Sequence, residues 1–112
     1  MKEKLLDILK NPRGHLIAVD LDGTLCKGEF WGDDEPEPIQ ERIDYIWDIY
    51  KRGGHIIIYT ARDPRYFVQT NGWLVRHNVP FHGITMQKKI GASLYIDDKA
   101  LNIDDIWKNN AH

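Results

Sequence analysis

The chain has 112 residues, enough for one domain and no more, and its 42% hydrophobic and 29% charged residues are an ordinary globular balance. Fifteen Lys and Arg against 17 Asp and Glu leave a formal charge of −2, which argues against a protein that holds nucleic acid by bulk positive charge. The single cysteine, Cys26, excludes an internal disulfide and fits a reducing, cytoplasmic compartment.

Leu5, Leu6 and Leu9 recur at helical spacing until Asn11-Pro12, which predicts a short amphipathic helix, too interrupted by Asp7 for a signal peptide or a membrane span. His15 to Val19 is apolar on both faces and stops at Asp20-Leu21-Asp22-Gly23, the pattern of a buried central strand in a parallel sheet. Residues 26–38 are polar, acidic and rich in Gly and Pro around Phe30 and Trp31, a flap-like insert long enough to carry function. Ile39, Ile43, Ile46, Trp47 and Tyr50 form a helical stripe that Gly53-Gly54 ends. A second apolar strand, His55 to Tyr59, runs into Thr60-Ala61-Arg62-Asp63. Asp63-Pro64 pairs a capping residue with a first-turn proline and predicts a helix to about His77, packing Phe67, Leu74 and Val75. Two more strands, Gly83 to Met86 and Ser93 to Ile96, and a tail helix from Ala100 to Trp107 complete the chain. The alternation predicts one α/β domain over 1–112, a three-layer, doubly wound, Rossmann-like and mostly parallel sheet of four to five strands.

In such sheets ligands bind at the carboxyl ends of the strands. That edge collects Asp20 and Asp22, Thr60 and Arg62, Lys88 and Lys89, and Asp97 and Asp98. Two unit charges 4 Å apart repel by about 4 kcal/mol at an effective dielectric of 20, so converging carboxylates call for a divalent cation. Oxygen ligands without His or Cys suit a hard ion such as magnesium, which is bound through one or two carboxylates plus substrate phosphate. Thr60 and Lys89 offer a hydroxyl and a positive charge for phosphoryl oxygens. Asp20 suits a nucleophile that forms an aspartyl-phosphate, and Asp22, turned beside it by Gly23, suits the acid that protonates the leaving oxygen and the base that activates water.

These residues carry a resemblance. Asp20-Leu21-Asp22-Gly23-Thr24-Leu25 after an apolar strand is similar to the first motif of the haloacid dehalogenase superfamily of phosphohydrolases. Thr60 resembles its second motif, Lys89 its third and Asp97-Asp98 its fourth, in the family's order and across 16 to about 102. The resemblance implies a magnesium-dependent phosphatase without a cap domain, with Asp20 as nucleophile and metal ligand, Asp22 as acid/base lending its backbone carbonyl to the metal, and Asp97 as a further ligand. Asp98 is either a ligand or a support for bound water; Thr60 and Lys89 hold the phosphate, Lys88 being the alternative lysine. Gly23, Ala61 and Arg62 complete the candidate phosphate contacts. The sequence departs from the family in having Ile90-Gly91, not proline, after the lysine, and in its short end after the fourth motif.

Other residues have plainer readings. Trp47, Trp73 and Trp107 read as packing, Cys26 as a small buried residue, His82 and His112 as solvent-facing, and Asp33, Asp34, Glu35 and Glu37 as a solvated loop. Phe30 and Trp31 either pack as a flap or cover substrate, and Arg62 either reaches substrate or pairs with Asp63 or a surface acid. A receiver domain is disfavoured by motif order, and a silent binding module by the filled chemical positions. The expected substrate is a small phosphomonoester, a sugar phosphate or nucleotide, with a nucleic-acid 3′ phosphate as the alternative; no membrane is involved, and the open site leaves room for cover by a second subunit of a homo-oligomer.

Overall fold

A computed structural model describes residues 2–28, 35–88 and 90–97. The predicted tail helix over 100–107 lies outside them. Helix α1 (Lys2–Lys10) leads into strand β1 (Leu16–Asp20), followed by α2 (Gln40–Lys51), β2 (His55–Thr60), a 3-10 turn (Pro64–Tyr66), α3 (Phe67–Arg76), β3 (Gly83–Met86) and β4 (Leu94–Ile96). The four strands form one all-parallel sheet in the order β3-β2-β1-β4. The chain is therefore an α/β protein with a Rossmann-like arrangement, and β1 is central as its uninterrupted apolar run predicts.

Side chains alternate across a strand, so the register sorts the sheet into two faces. Ile17 pairs with Ile56 and Leu94, and Val19 with Ile58 and Ile96; all six are buried on one face with Ile43, Ile46 and Ile49 of α2 and Trp73 and Leu74 of α3. The opposite face carries buried Ala18 between half-buried Ile57 and Tyr95. Trp47 Nε1 donates to the Asn78 carbonyl at 2.7 Å, tying α2 to the end of α3.

Two stripes differ from expectation. On α2 it is Ile49 that is buried, while Tyr50 lies 39% exposed, because positions 43, 46 and 49 share the face toward the sheet. On α3, Leu74 is buried as predicted, but Phe67 and Val75 are exposed and Thr70 and Trp73 take the inward positions. His82 is exposed but not idle: its Nδ1 accepts from the Ile56 N–H at 2.9 Å, and its ring stacks on His55 at 4.0 Å. Gly54 lies where a Cβ would sit 2.6 Å from Ile49 Cγ2, so the turn between α2 and β2 admits no side chain there.

Candidate active site

The site is built at the carboxyl edge, where β1, β2 and β4 stop side by side. Beyond Asp20, the last residue of β1, the backbone folds into a tight turn. The amides of Thr24, Leu25 and Cys26 all reach the Leu21 carbonyl, at 3.2, 2.9 and 3.4 Å, and the Gly23 amide donates to Cys26 O at 3.0 Å. Gly23 has φ 84°, a left-handed conformation that favours glycine. Arg42 of α2 holds the turn from outside, donating to the carbonyls of Gly23 and Thr24 at 3.3 and 3.1 Å. This turn brings Asp22 beside β2 while Asp20 stays at the end of β1.

The carboxylate of Asp22 is held on both of its oxygens. Arg62 grips both of its oxygens, Nη2 to Oδ1 at 2.6 Å and Nε to Oδ2 at 3.0 Å, and Thr60 Oγ1 donates to Oδ2 at 3.4 Å. Arg62 is held in turn by Thr70, whose hydroxyl accepts from Nη1 at 3.0 Å, while the Arg62 amide donates to Thr60 Oγ1 at 3.2 Å. A bidentate, charge-assisted pair of this kind fixes both partners in orientation as well as energy. Asp20 receives the Thr24 hydroxyl at 3.4 Å.

Thr60 is wholly buried at the end of β2, and its carbonyl accepts the Gln87 amide at 2.8 Å, which anchors the chain leaving β3. Ala61 follows it at an exposed position, and Lys88 is exposed in the next connection. Asp97 directly follows Ile96, the last residue of β4 and the partner of Val19, just as Asp20 follows Val19. Lys89 and Asp98 lie outside the described residues. The structure thus brings Asp20, Asp22, Gly23, Thr60, Arg62 and Asp97 to one edge.

Among the described residues, Arg62 pairs with Asp22 and not with its neighbour Asp63. Asp63 instead accepts the Arg65 amide at 2.9 Å as the cap of the 3-10 turn, and the guanidinium goes to Asp22, forty residues away in sequence. Sequence reading also missed Thr70, Arg42 and Thr24 as supports. Thr70 had a signal: a polar residue on an otherwise apolar stripe.

Cys26 is buried beneath the turn, its Sγ 3.8 Å from Asp22 Oδ1, and burial, reinforced by the negative charge of Asp22, pushes its thiol up to about 12. It is packing, not a nucleophile. The flap is pinched at its base, where Lys27 N donates to Glu37 O at 2.8 Å and Ile39 N to Leu25 O at 2.8 Å. Trp73 Nε1 ties it down through the Pro36 carbonyl at 2.9 Å. Glu35 and Glu37 face solvent in ion pairs with Arg76 and Lys27, whereas Phe30, Trp31, Asp33 and Asp34 lie outside the described residues. Among the described residues, no three His, Cys, Asp or Glu side chains gather as a metal cluster, and no helix is long and apolar enough to cross a membrane.

Fold and edge together define a Rossmann-like α/β protein with an acid-rich strand edge. No protein-family model matches the sequence, and no curated protein matches it. Among solved structures, it is similar to a conserved protein from Bacteroides thetaiotaomicron, with a TM-score of 0.67 and 18% identity over 87% of this chain and 89% of that one. It is also similar to a structural-genomics target from Vibrio cholerae, with a TM-score of 0.58 and 28% identity over 81% of this chain and 85% of that one. Both likenesses bear on the fold.

Proposed function

We propose that the chain is a magnesium-dependent phosphomonoesterase of the haloacid dehalogenase type, without a cap domain, that works in the cytoplasm through an aspartyl-phosphate on Asp20. The observation that carries this reading is the meeting of Asp20, Asp22 and Thr60 at one strand edge, with Asp97 closing it from β4. Asp20 and Asp97 with the Asp22 carbonyl make an all-oxygen donor set. Two carboxylates suffice for a magnesium ion that keeps several waters. Bound there, the ion would offset the charge of the phosphoryl oxygens and of the attacking carboxylate.

In the first step a carboxylate oxygen of Asp20 forms a bond to phosphorus as the ester oxygen leaves with the bond's electron pair. Asp22, once it has left the Arg62 guanidinium and taken a proton from solvent, gives that proton to the leaving oxygen. In the second step Asp22 takes a proton from water, whose oxygen attacks phosphorus and frees Asp20 and inorganic phosphate. Thr60 orients Asp22 and, with Lys89 or Lys88, serves the phosphoryl oxygens. Arg62 acts on Asp22 directly, fixing its carboxylate in the plane of the guanidinium.

Purified protein should turn over p-nitrophenyl phosphate only when magnesium is supplied, and Asp20→Asn should remove turnover while leaving the circular dichroism spectrum unchanged. Turnover by Asp20→Asn overturns the assignment.

A further inference from the structure

The first turn of α3 and the 3-10 turn before it carry two aromatic side chains that the fold does not use. Tyr66, Phe67, Thr70, Trp73 and Leu74 follow one another at helical spacing, on the stripe that faces the sheet. Within that stripe Thr70, Trp73 and Leu74 are buried to 1% exposure or less, whereas Tyr66 and Phe67 are 37% and 47% exposed. The break falls at Thr70, whose hydroxyl bonds the same Arg62 that holds Asp22. Because α3 follows β2 and rises about 1.5 Å per residue, Phe67 lies about 4.5 Å from Thr70 along the axis, toward the carboxyl edge from which the helix starts. Helical side chains lean toward the N-terminus, which carries the Phe67 ring further in that direction. Arg65, 73% exposed in its side chain, stands with its guanidinium 5.3 Å over the Tyr66 ring.

Resting on the phosphatase reading above, we propose that Tyr66 and Phe67, with Arg65, form a subsite for the planar base of a nucleoside monophosphate whose phosphate sits at Asp20. Two rings and a guanidinium beside the reacting edge match the π-face of a base, which stacks on aromatic side chains irrespective of its hydrogen-bonding edge. A formal charge of −2 disfavours the further phosphates of a nucleic-acid strand and favours a free nucleotide.

The test compares adenosine 5′-monophosphate with ribose 5-phosphate, which differ only in the base. The expected result is a kcat/KM about tenfold higher for the nucleotide, the order that one stacked ring supplies. Phe67→Leu, which keeps apolar bulk, and Tyr66→Ala should each reduce that preference at least threefold, and Phe67→Trp should retain it. Calorimetry on the Asp20→Asn protein with the same two compounds reads the subsite without turnover. Tighter binding of the nucleotide that depends on Phe67, together with failure of the unsubstituted protein to hydrolyse either compound in the presence of magnesium, would leave the subsite standing and remove the phosphatase reading. Equal hydrolysis of both compounds would do the reverse. Faster turnover of an oligonucleotide bearing a terminal phosphate than of the free nucleotide would overturn the choice of a free nucleotide.

Discussion

The pair between Arg62 and Asp22 makes a quantitative expectation. Arg62 is 9% exposed in its side chain and Asp22 21%, so replacing Arg62 by methionine leaves a largely buried carboxylate without its counter-charge. Breaking a buried pair from one side costs about 3 to 5 kcal/mol, and the residual exposure of Asp22 puts the expectation at the lower end, about 3 kcal/mol. For a domain whose whole stability is of order 5 to 15 kcal/mol, that is a large fraction, and at about 4 °C per kcal/mol it lowers the melting temperature by about 12 °C. Urea unfolding followed by circular dichroism measures it as a fall in midpoint at constant m. The diagnostic is the double variant: Arg62→Met with Asp22→Asn removes the stranded charge and should recover about 2 kcal/mol of the loss. A loss below about 1 kcal/mol for Arg62→Met, or a double variant less stable than Arg62→Met alone, refutes the reasoning that Asp22 depends on this guanidinium.

Gly54→Ala should destabilise by about 1 to 3 kcal/mol, because its Cβ would meet Ile49 Cγ2 at 2.6 Å and the Ile49 carbonyl at 3.1 Å, whereas Gly91→Ala, with open space around the new Cβ, should stay within about 0.5 kcal/mol in the same thermal melts. Cys26 should resist a thiol reagent at pH 8 until the protein is unfolded. Its thiol keeps its proton to about 12 when folded but ionises near 9.0 when unfolded, so this residue's contribution to stability holds below pH 9 and is lost as pH rises from there toward 12. A Cys26→Ala variant should lose that slope in urea titrations across the same range.

Much of the edge was legible because its signals are local. An apolar run that stops at Asp-x-Asp-Gly, and another that stops at Thr, mark the ends of β1 and β2 whatever surrounds them. What was not legible depends on where other elements end. The stripe on α3 reads as continuously inward from Phe67 to Leu74, yet Phe67 is exposed and burial begins at Thr70. Ile49 and Tyr50 are adjacent apolar residues, and the packing of α2 on β1 decides which one is buried. Arg62 had an acid as its immediate neighbour in Asp63, and nothing local says that the cap would take Asp63 and the fold would deliver Asp22 from forty residues away. Pairings of that range are properties of the topology, not of the pattern.

The order of the sheet has a consequence for how the site is assembled. Ile17 meets Ile56 across 39 residues of chain but Leu94 across 77, so the strand that delivers Asp97 closes the longest loop in the sheet. Closure entropy grows slowly with length, and doubling the loop adds only about 0.6 kcal/mol. The ladder that repays it is short, three residue pairs against five between β1 and β2. The half of the edge formed by Asp20, Asp22, Thr60 and Arg62 can therefore be complete before Asp97 arrives, and the β4 side is where the edge opens at least cost. Hydrogen exchange at Ile96 should then run ahead of exchange at Ile58, so that the acid supplied last during folding is also the first to be released.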